Sequence, residues 1–516
     1  MEVEHHERKD GNDMKDTTKR IRDKRLLDRV VSAEEAASWI TDGMTLGLSG
    51  FTRAGDVKAT PMALIRRAQH ETFKVNVFTG ASLGSDIDRL MSDSDMIHKR
   101  LPFQADKTMR HHINAGDHLF VDQHLSHTAE LLRQNAIEGI DYAILEAVSI
   151  TDDGYLIPTT SIGNSLAFAE SADHIIIEIN MAQPESLEGV HDLYSPENQG
   201  ERQPIPLVHS SDRIGHKGIP LDASKVKGIV FTDQTDSPST IIPPDEETQV
   251  MANHLIRFLE SEMEAGRLGK ELAPIQSGIG SVANAVLHGL LESGFEDLDI
   301  YSEVLQDAVF DLIDAGKVKT ASCCSITLSE EKMGQVFSDF ETYKDKIVMR
   351  PQEISNHPEV IRRLGLIAIN TALELDIYGN INSTHVSGTK MMNGIGGSGD
   401  FARNSRLAIF VTKSIAKDGD ISSVVPFVPH VDHTEHDVDV IVTEQGYADL
   451  RGLAPRERVP LIIEQCAHPM YREQLWDYYN EALERGGQTP HVLEKALSWH
   501  TQFQKEGTMR QLIESY

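Results

Sequence analysis

The amino-acid sequence predicts an α/β protein made of two similar domains, each with a largely parallel sheet. Three observations lead to this prediction. The chain has 516 residues, more than one hydrophobic core normally serves, so two or more domains are expected. Apolar runs rich in β-branched residues alternate with helix-like segments. A pattern found in the first half of the chain also returns in the second half.

The expected strands are short apolar runs, and amphipathic segments lie between them. One such helix is Thr60–Ala68, in which we expect Pro61 at the first position, where proline is well tolerated. Alternation of this kind is typical of strand–helix–strand units around parallel sheets. The predicted strands are Thr45–Leu48, Val75–Phe78, Ala143–Ile150, His174–Ile179, Gly228–Thr232, Asp299–Ser302, Leu366–Thr371, Leu407–Thr412 and Val438–Thr443.

The second half of the sequence resembles the first at an offset of about 225 residues. Three pairs of segments align in the same order: Ser49–Gly50 with Ser277–Gly278, Val75–Gly80 with Leu298–Glu303, and Ala143–Gly154 with Ala368–Gly379. We interpret the match as a duplication, with chance similarity as the alternative. The sequence therefore predicts a polar N-terminal tail (1–25), an N-terminal domain (26–220) and a C-terminal domain (221–516).

One aligned position breaks the repeat. The first half has Gly80 at the end of its strand, whereas the second half has Glu303. A carboxylate at the end of an apolar parallel strand and before a helix lies where open α/β sheets bind ligands. The alternative is a structural ion pair. Glu303 is therefore a candidate functional residue.

Composition excludes several classes of protein. Hydrophobic residues make up 40% of the chain and charged residues 25%, which is ordinary for a folded globular protein. The net charge of −31 repels nucleic acid and anionic lipid. Only three cysteines are present, too few for a disulfide scaffold. The N-terminal tail carries many acidic residues and no apolar segment, so it reads as a solvated tail rather than a targeting signal. We expect a cytoplasmic protein.

Two glycine-rich segments are candidates for close contact with a ligand. Pro274–Ala285 (PIQSGIGSVANA) and Asn393–Asp400 (NGIGGSGD) each place glycines just before a helix-like stretch. Glycine lets the backbone approach a ligand closely, and N–H groups at a helix start can face an anion or oxyanion. A dinucleotide loop is a weak match, because Ala283 stands where its third glycine would be. A tight turn and a flexible loop are the alternatives.

Other reactive side chains give weaker signals. His430, Asp432, His433, His436 and Asp437 form the run HVDHTEHD, but it lacks the helical spacing of a zinc site, so we favour structural histidines and expect no metal.

A cysteine or serine nucleophile has little support. Cys323 and Cys324 have only Lys319 as a nearby basic residue, so we interpret them as a buried apolar pair rather than a nucleophile. The chain also lacks a G-x-S-x-G elbow.

Five longer motifs resemble the acetyl-CoA hydrolase/transferase family, which are class I CoA-transferases of the succinyl-CoA:acetate type. The motifs are GMTLGLSGFT (43–52), SGIGSVANAV (277–286), IYSEVLQD (300–307), NGIGGSGDFARNS (393–405) and PHVDHTEHDVDVIVTEQGYADLRGLAPRER (429–458). The resemblance runs from about Arg25 to near the C-terminus. It implies two CoA-transferase-type α/β domains with the active site in the cleft between them, coenzyme A bound as acyl-CoA substrate, a carboxylate partner substrate and a homodimer.

The resemblance also implies roles for individual residues. Glu303 matches the family's nucleophile, which works by a ping-pong route through an acyl-glutamyl anhydride and a glutamyl-CoA thioester. The backbone N–H groups of Ile279 and Gly397 match the oxyanion donors. The residues implied to contact CoA are Gly278, Ile279, Gly280, Ser281, Val282, Asn393, Gly397 and Lys417, and those implied to orient the substrate or Glu303 are Asn356 and Glu444.

Two alternatives to a CoA-transferase remain open. An acetyl-CoA hydrolase would use the same glutamate with water as acceptor. A sugar-phosphate isomerase or a ligand-sensing module on a related scaffold would not depend on Glu303. The preferred acid is not evident from the sequence, and we expect the acyl group to be contacted near Thr79–Ser82.

Overall fold

The computed structural model describes residues 17–240 and 242–511, which pack as two compact units. Of the described residues, the first unit comprises 17–239, Glu303–Leu305 and Thr320–His357, and the second comprises 240, 242–302, Gln306–Lys319 and 358–511. The units are therefore discontinuous in sequence, and Glu303 is grouped with the first unit. The division of the chain at 220/221 into two duplicated domains stays a prediction.

The first unit is built on a sheet flanked by helices. Its strands are β1 (Thr45–Leu48), β2 (Val75–Phe78), β3 (Ile97–Leu101), β4 (Leu119–Phe120), β5 (Tyr142–Ile150), β6 (Tyr155–Pro158), β7 (His174–Asn180), β8 (Ile219–Pro220), β9 (Val226–Thr232), β12 (Val304–Leu305), β14 (Ser325–Ile326) and β15 (Ile347–Met349). Its helices are α1 (Ala33–Ser38), α2 (Ala59–Ala68), α3 (Ser85–Asp93), α4 (Lys107–Ala115), α5 (His127–Arg133), α6 (Ser165–Ser171), α10 (Glu330–Ser338), α11 (Glu341–Lys344) and α12 (Gln352–Ser355).

The second unit has the same kind of architecture. Its strands are β10 (Ile275–Ser277), β11 (Leu298–Tyr301), β16 (Ile367–Thr371), β17 (Glu374–Asp376), β18 (Ile381–Asn382), β19 (His385–Val386), β20 (Lys390–Met391), β21 (Leu407–Val411), β22 (Ile415–Ala416), β23 (Ile421–Ser422), β24 (Val424–Val425), β25 (Val440–Thr443) and β26 (Gly446–Asp449). Its helices are α7 (Glu246–Glu264), α8 (Ser281–Glu292), α9 (Asp307–Asp314), α13 (Pro358–Leu364), α14 (Ser398–Asn404), α15 (Pro455–Cys466), α16 (Pro469–Arg485) and α17 (Ser498–Glu506). The remaining strand, β13 (Val318–Cys323), contains the point at which the chain returns to the first unit.

The two units share one strand order. In the first, parallel strands follow one another as β2-β1-β5-β7-β9, and in the second as β11-β10-β16-β21-β25. Gly154 and Gly379, which align in sequence, both have positive φ, at 83° and 97°, in the turn after β5 and after β17. This agreement supports the duplication. The α/β class and the largely parallel sheets are confirmed.

Burial explains why the strands could be recognised in the sequence. All nine residues of β5 are buried, as expected when helices cover both faces of a parallel sheet. Each predicted strand is present with ends within about two residues, the usual uncertainty of strand limits. Pro61 is the third residue of α2 rather than the first, because the helix begins at Ala59. None of the described helices is long and apolar enough to cross a membrane.

The described part of the N-terminal tail is packed rather than solvated. Arg20 is 9% exposed and donates to backbone oxygens of the first unit, including that of Gln183 at 2.9 Å. Ile21 is buried and forms a β-bridge with Ile150. The prediction of a solvated tail is therefore wrong for Arg20, Ile21 and Asp23, which are buried, whereas Lys19 and Arg22 are exposed. Residues 1–16 lie outside the described residues.

Candidate active site

Glu303 lies between two short strands and shortly before a helix. β11 ends at Tyr301, two residues before Glu303, β12 begins directly after it at Val304, and α9 begins at Asp307. Two neighbours in the chain bind the first glycine-rich segment: Ser302 Oγ donates to the Ser277 carbonyl oxygen at 3.0 Å and Gln306 Nε2 donates to that of Gly278 at 3.1 Å. The backbone on both sides of Glu303 is therefore fixed.

Within the first unit, the backbone and the side chain of Glu303 are both held. Its carbonyl oxygen accepts hydrogen bonds from the N–H groups of Cys324 and Ser325, each at 2.9 Å. Its side-chain Oε1 accepts a hydrogen bond from Nδ2 of Asn356 at 2.8 Å. Burial raises the pKa of the Glu303 carboxyl to about 7, and the hydrogen bond from Asn356 opposes that rise. A carboxylate with a raised pKa is a stronger base and a better nucleophile than an ordinary glutamate.

Asn356 is positioned by the segment that precedes it. Arg350 is fully buried and bonds Asp192 and, at 2.9 Å, Oγ of Ser322. Gln352 donates through Nε2 to the Leu125 carbonyl oxygen at 3.0 Å. The buried Glu353 pairs with Arg133 of α5, with Nη1 and Oε2 2.9 Å apart. These contacts fix α12, and Asn356 N–H donates to the carbonyl oxygen of Gln352 at its start, at 2.8 Å. The amide that holds Glu303 therefore sits on a rigid support.

Gly80, the counterpart of Glu303 in the first half, has no room for a side chain. A Cβ there would lie 2.6 Å from the Gly50 carbonyl oxygen, 2.9 Å from Gln352 Oε1 and 3.1 Å from Gly163 Cα. Real Cβ atoms do not approach other atoms this closely. The asymmetry between the two halves therefore has a packing cause as well as a possible catalytic one.

The first glycine-rich segment joins β10 to the start of α8 in the second unit. Gly278 N–H donates to the carbonyl oxygen of Ile369 at 2.9 Å, while the side chain of Ile279 is 50% exposed. Gly280 has φ +132°, and a Cβ at this position would meet no atom of the described residues within 4 Å. Glycine is therefore needed for the backbone conformation and not for space. Ser281 and Val282 open α8, where N–H groups lack partners within the helix.

The second glycine-rich segment leads into α14, also in the second unit. Gly396 has φ +58° and Gly397 is the buried residue directly before the helix. Asn393 has a buried side-chain oxygen, Oδ1, without a hydrogen-bond partner among the described residues. A buried polar atom of this kind is costly unless a ligand or water satisfies it. This observation fits the expected contact with CoA.

Lys417 and Glu444 have different surroundings. Lys417 is exposed, with Nζ 5.0 Å from the ring centre of Phe503, and so is accessible to an anion. Glu444 accepts the N–H of Ser414 at 2.8 Å and Nε2 of Gln445 at 3.1 Å. It thus holds the turn after β21, whereas Asn356 directly contacts Glu303.

The histidine run stabilises loops of the second unit. His433 is 3% exposed, with Nε2 3.0 Å from Ser398 Oγ. Asp432 accepts the N–H of Ser383 at 2.7 Å and lies 3.2 Å from His430 Nε2. Among the described residues, no three His, Cys, Asp or Glu side chains are grouped as a metal site would require.

Cys323 and Cys324 are both fully buried. Burial raises the pKa of each thiol, and the nearby Glu303 carboxylate raises that of Cys324 further. A thiolate nucleophile is therefore unfavourable at either position, in agreement with the interpretation as a buried apolar pair.

The support of Asn356 was not found from the sequence. Arg133, Gln352 and Glu353 lie outside the recognised motifs, and the ion pair joins residues 220 positions apart. The only local signal is that Gln352 and Glu353 closely precede Asn356.

Comparison with known proteins places this arrangement in a class. Residues 14–233 match the acetyl-CoA hydrolase/transferase N-terminal domain, and residues 334–479 match the C-terminal domain of that family. Succinyl-CoA:acetate CoA-transferase of Clostridium kluyveri is 52% identical over 497 residues, which cover 96% of this chain and 92% of that protein. An acetyl-CoA hydrolase of Yarrowia lipolytica is 41% identical over 514 residues, covering 95% of this chain and 98% of that protein.

A solved structure shows the same fold. The 4-hydroxybutyrate CoA-transferase from Porphyromonas gingivalis superposes with a TM-score of 0.62 at 22% identity, covering 88% of this chain and 98% of that one.

The two α/β units and the strand-end glutamate, together with these matches, define an enzyme of the CoA-transferase class. The chain belongs to the acetyl-CoA hydrolase/transferase family. The resemblance found in the sequence motifs is thereby confirmed, and the isomerase and sensor alternatives lose their support.

Proposed function

We propose that the enzyme transfers CoA between succinyl-CoA and acetate, with the Glu303 carboxylate as the nucleophile. The observation that carries the proposal is the pair formed by Glu303 and Asn356. The Glu303 carboxylate is buried near a strand end, has a pKa of about 7, and accepts a hydrogen bond at Oε1 from Nδ2 of Asn356 at 2.8 Å. The similarity to the Clostridium kluyveri enzyme supports the choice of substrates.

The first half-reaction moves CoA from the acyl group of the donor to Glu303. A Glu303 carboxylate oxygen attacks the thioester carbonyl carbon, the carbon–sulfur bond breaks, and CoA leaves as a thiolate with the bonding electrons. The product is an acyl-glutamyl anhydride. The thiolate then adds to the Glu303 carbonyl carbon, and the bond from that carbon to the bridging oxygen breaks. The original acyl group leaves as a carboxylate, and a glutamyl-CoA thioester remains.

The second half-reaction runs these steps in reverse with the acceptor carboxylate. No net proton is taken up or released, because a carboxylate enters for each one that leaves. Covalent catalysis of this kind keeps the energy of the thioester in the protein. Contacts with the remote part of CoA supply binding energy that favours the reacting geometry.

Each tetrahedral intermediate carries an oxyanion that needs donors. We assign these to the N–H groups of Ile279 and Gly397, since each lies at the approach to a helix N-terminus, where N–H groups favour negative charge. One such donor is worth about 3 kcal/mol in other acyl transfers. Exposed Lys417 is proposed to contact a CoA phosphate, and the segment Gly278–Val282 with Asn393 to contact its thiol end.

Replacement of Glu303 tests the proposal. Glu303→Gln should lower transfer about 10,000-fold or more in freshly prepared protein, since an amide oxygen is a poor nucleophile. The control is Glu201→Gln, an exposed position in the same unit, which should keep its activity. Incubation with acyl-CoA and then borohydride should convert the Glu303 carboxyl to a primary alcohol, seen by peptide mass. Turnover that survives Glu303→Gln without deamidation would contradict the proposal.

A hydrolase is the second candidate, favoured by the similarity to the Yarrowia lipolytica protein. The same thioester would then be attacked by water. The two functions differ in where the CoA goes. If the enzyme is a transferase, free CoA thiol should form slowly, and added acetate should divert CoA into acetyl-CoA. Thiol release that acetate does not suppress would favour the hydrolase. The homodimer and the cytoplasmic location stay predictions.

A further inference from the structure

The turn that contains Arg53 has an unusual backbone for its sequence. Phe51 and Ala54 exchange backbone hydrogen bonds of 3.0 and 3.2 Å, so Thr52 and Arg53 form a two-residue turn. Both have positive φ, at 49° and 68°, a geometry for which Asn-Gly is strongly preferred. Two side-chain-bearing residues in this conformation are strained, and such strain is concentrated at functional sites.

The turn is fixed to the strand pair that follows Glu303. Ser325 Oγ donates to the carbonyl oxygen of Phe51 at 2.9 Å, and Thr327 Oγ1 donates to that of Thr52 at 2.8 Å. Ser325 lies on β14, which pairs with β12 directly after Glu303, and its N–H donates to the Glu303 carbonyl oxygen. The turn that contains Arg53 and the backbone of Glu303 are thus both bonded to Ser325.

A third contact ties Arg53 to the segment where we expect the acyl group. Arg53 N–H donates to the Ser82 carbonyl oxygen at 3.1 Å. An apolar cluster lies beside both residues: Phe51, Ala81, Leu125, Val304 and Cys324 pack together. Phe51 is two positions before Arg53 in the chain, Ala81 directly precedes Ser82, and Val304 directly follows Glu303.

Among the described residues, the Arg53 guanidinium has no hydrogen-bond acceptor. Two other arginines whose buried Nε has neither a hydrogen bond nor an ion pair, Arg100 and Arg133, donate through Nη to carbonyl or carboxylate oxygens. Arg53 is half-buried with the same unpartnered Nε, and none of the residues in 17–240 and 242–511 accepts a hydrogen bond from its side chain. A planar, permanently charged group of this kind is suited to binding a carboxylate through two hydrogen bonds.

We infer that Arg53 is a specificity-determining residue that binds the distal carboxylate of a dicarboxylic acyl group, such as succinyl. The apolar cluster would contact the methylene carbons between the distal carboxylate and the carbonyl attacked by Glu303. This inference rests on the proposed function and adds to it a residue that distinguishes dicarboxylic from monocarboxylic substrates.

The test compares two acceptors with acetyl-CoA as donor in the full-length enzyme. Arg53→Met should lower kcat/KM for succinate at least about 10-fold further than kcat/KM for propionate, the range expected for a hydrogen bond to a charged group. Arg53→Lys should recover part of the loss, because it keeps the charge but not the two-pronged geometry. The matched control is Arg66→Met, an arginine on the surface of the same unit, which should not change the ratio.

The variant Arg53→Gly distinguishes a role of Arg53 in the stability of the turn from a role in binding the substrate. Glycine adopts positive φ without strain, so this variant should keep or raise the melting temperature and still lose preference for succinate. Equal losses for succinate and propionate would overturn the inference and indicate a contact with CoA itself. If the wild-type enzyme transferred CoA to propionate but not to succinate, the inference about Arg53 would be overturned, but the proposed CoA-transferase activity would stand. Absence of transfer to either acid would contradict both proposals.

Discussion

The proposed reaction requires an ionised carboxylate, because only the ionised form attacks a carbonyl carbon. The pKa of Glu303 lies close to neutral pH, so both the ionised and the protonated form are present there. Burial places its pKa at about 7, and the donated hydrogen bond from Asn356 keeps the pKa from rising further. The site therefore combines two opposing effects: loss of water makes the carboxylate more reactive, and one amide keeps enough of it ionised near neutral pH.

The pH dependence of the reaction follows from this balance. For the wild type, kcat/KM should rise with pH up to about 7 and then level off, because the protonated acid cannot attack. In Asn356→Ala the ionised form loses its donor, so the pKa of Glu303 rises and the increase in rate should move to higher pH. Profiles of kcat/KM between about pH 5.5 and 9 measure both effects.

Asn198→Ala provides the control for this profile, since Asn198 is an exposed amide of the same unit. It should leave the profile unchanged. If Asn356→Ala lowered the rate at every pH without moving the rising part of the curve, Asn356 would contact the substrate only and would not tune Glu303.

At the scale of elements, the short helix α12 links the packing of the first unit to its candidate site. It has four residues, too few to be stable by itself. Arg350 before it, Gln352 and Glu353 within it, and Asn356 after it each bond a different part of the unit. The geometry of Asn356 is therefore set by tertiary contacts and not by the helix.

The ion pair between the buried Glu353 and the partly buried Arg133 makes this link measurable. Glu353→Ala leaves Arg133 without its partner and should lower the free energy of unfolding by about 2 kcal/mol, whereas Arg133→Ala/Glu353→Ala should lose less than the sum of the single changes. Urea unfolding measures the energies. The exposed pair of Glu34 and Arg66, with atoms 2.6 Å apart, is the control, and Glu34→Ala should cost less than about 1 kcal/mol. Additive effects of Arg133 and Glu353 would show that the pair is not coupled.

At the scale of the whole molecule, the dominant property is charge. Acidic residues number 80 against 49 basic ones, giving a net charge of −31. Mutual repulsion of this size destabilises a compact chain, and dissolved salt screens it. CoA is itself an anion, so under the proposed function its binding would depend on local cations, for which Lys417 is the candidate, and on helix N-termini rather than on the overall field.

Salt should therefore stabilise the protein. The melting temperature should rise as NaCl is increased from about 20 to 200 mM, a range in which the screening length shortens several-fold. Potassium chloride at equal ionic strength serves as the control and should give the same rise, because screening does not depend on the identity of the cation. A melting temperature that is independent of salt, or that falls, would show that the acidic groups are already compensated within the structure.

The sequence by itself determined the elements, the class of fold and the candidate nucleophile. Strands such as β5 and β16 are visible because burial on both faces selects continuous apolar residues, and this signal is local. The strand-end position of Glu303 is also a local pattern, and the repeat is visible by comparing one half of the sequence with the other. Motif resemblance supplied the family, which the comparisons confirmed.

Tertiary structure decided what these residues do to one another. The hydrogen bond from Asn356 to Glu303 spans 53 positions and the ion pair of Glu353 with Arg133 spans 220, so no local pattern could reveal them. The packing of Arg20 and Ile21 on the sheet and the crowding at Gly80 are also decided by distant neighbours. A pKa depends on burial and on partners in space. The position of the carboxylate was therefore evident from a local pattern of residues, whereas its chemistry is set by the folded chain.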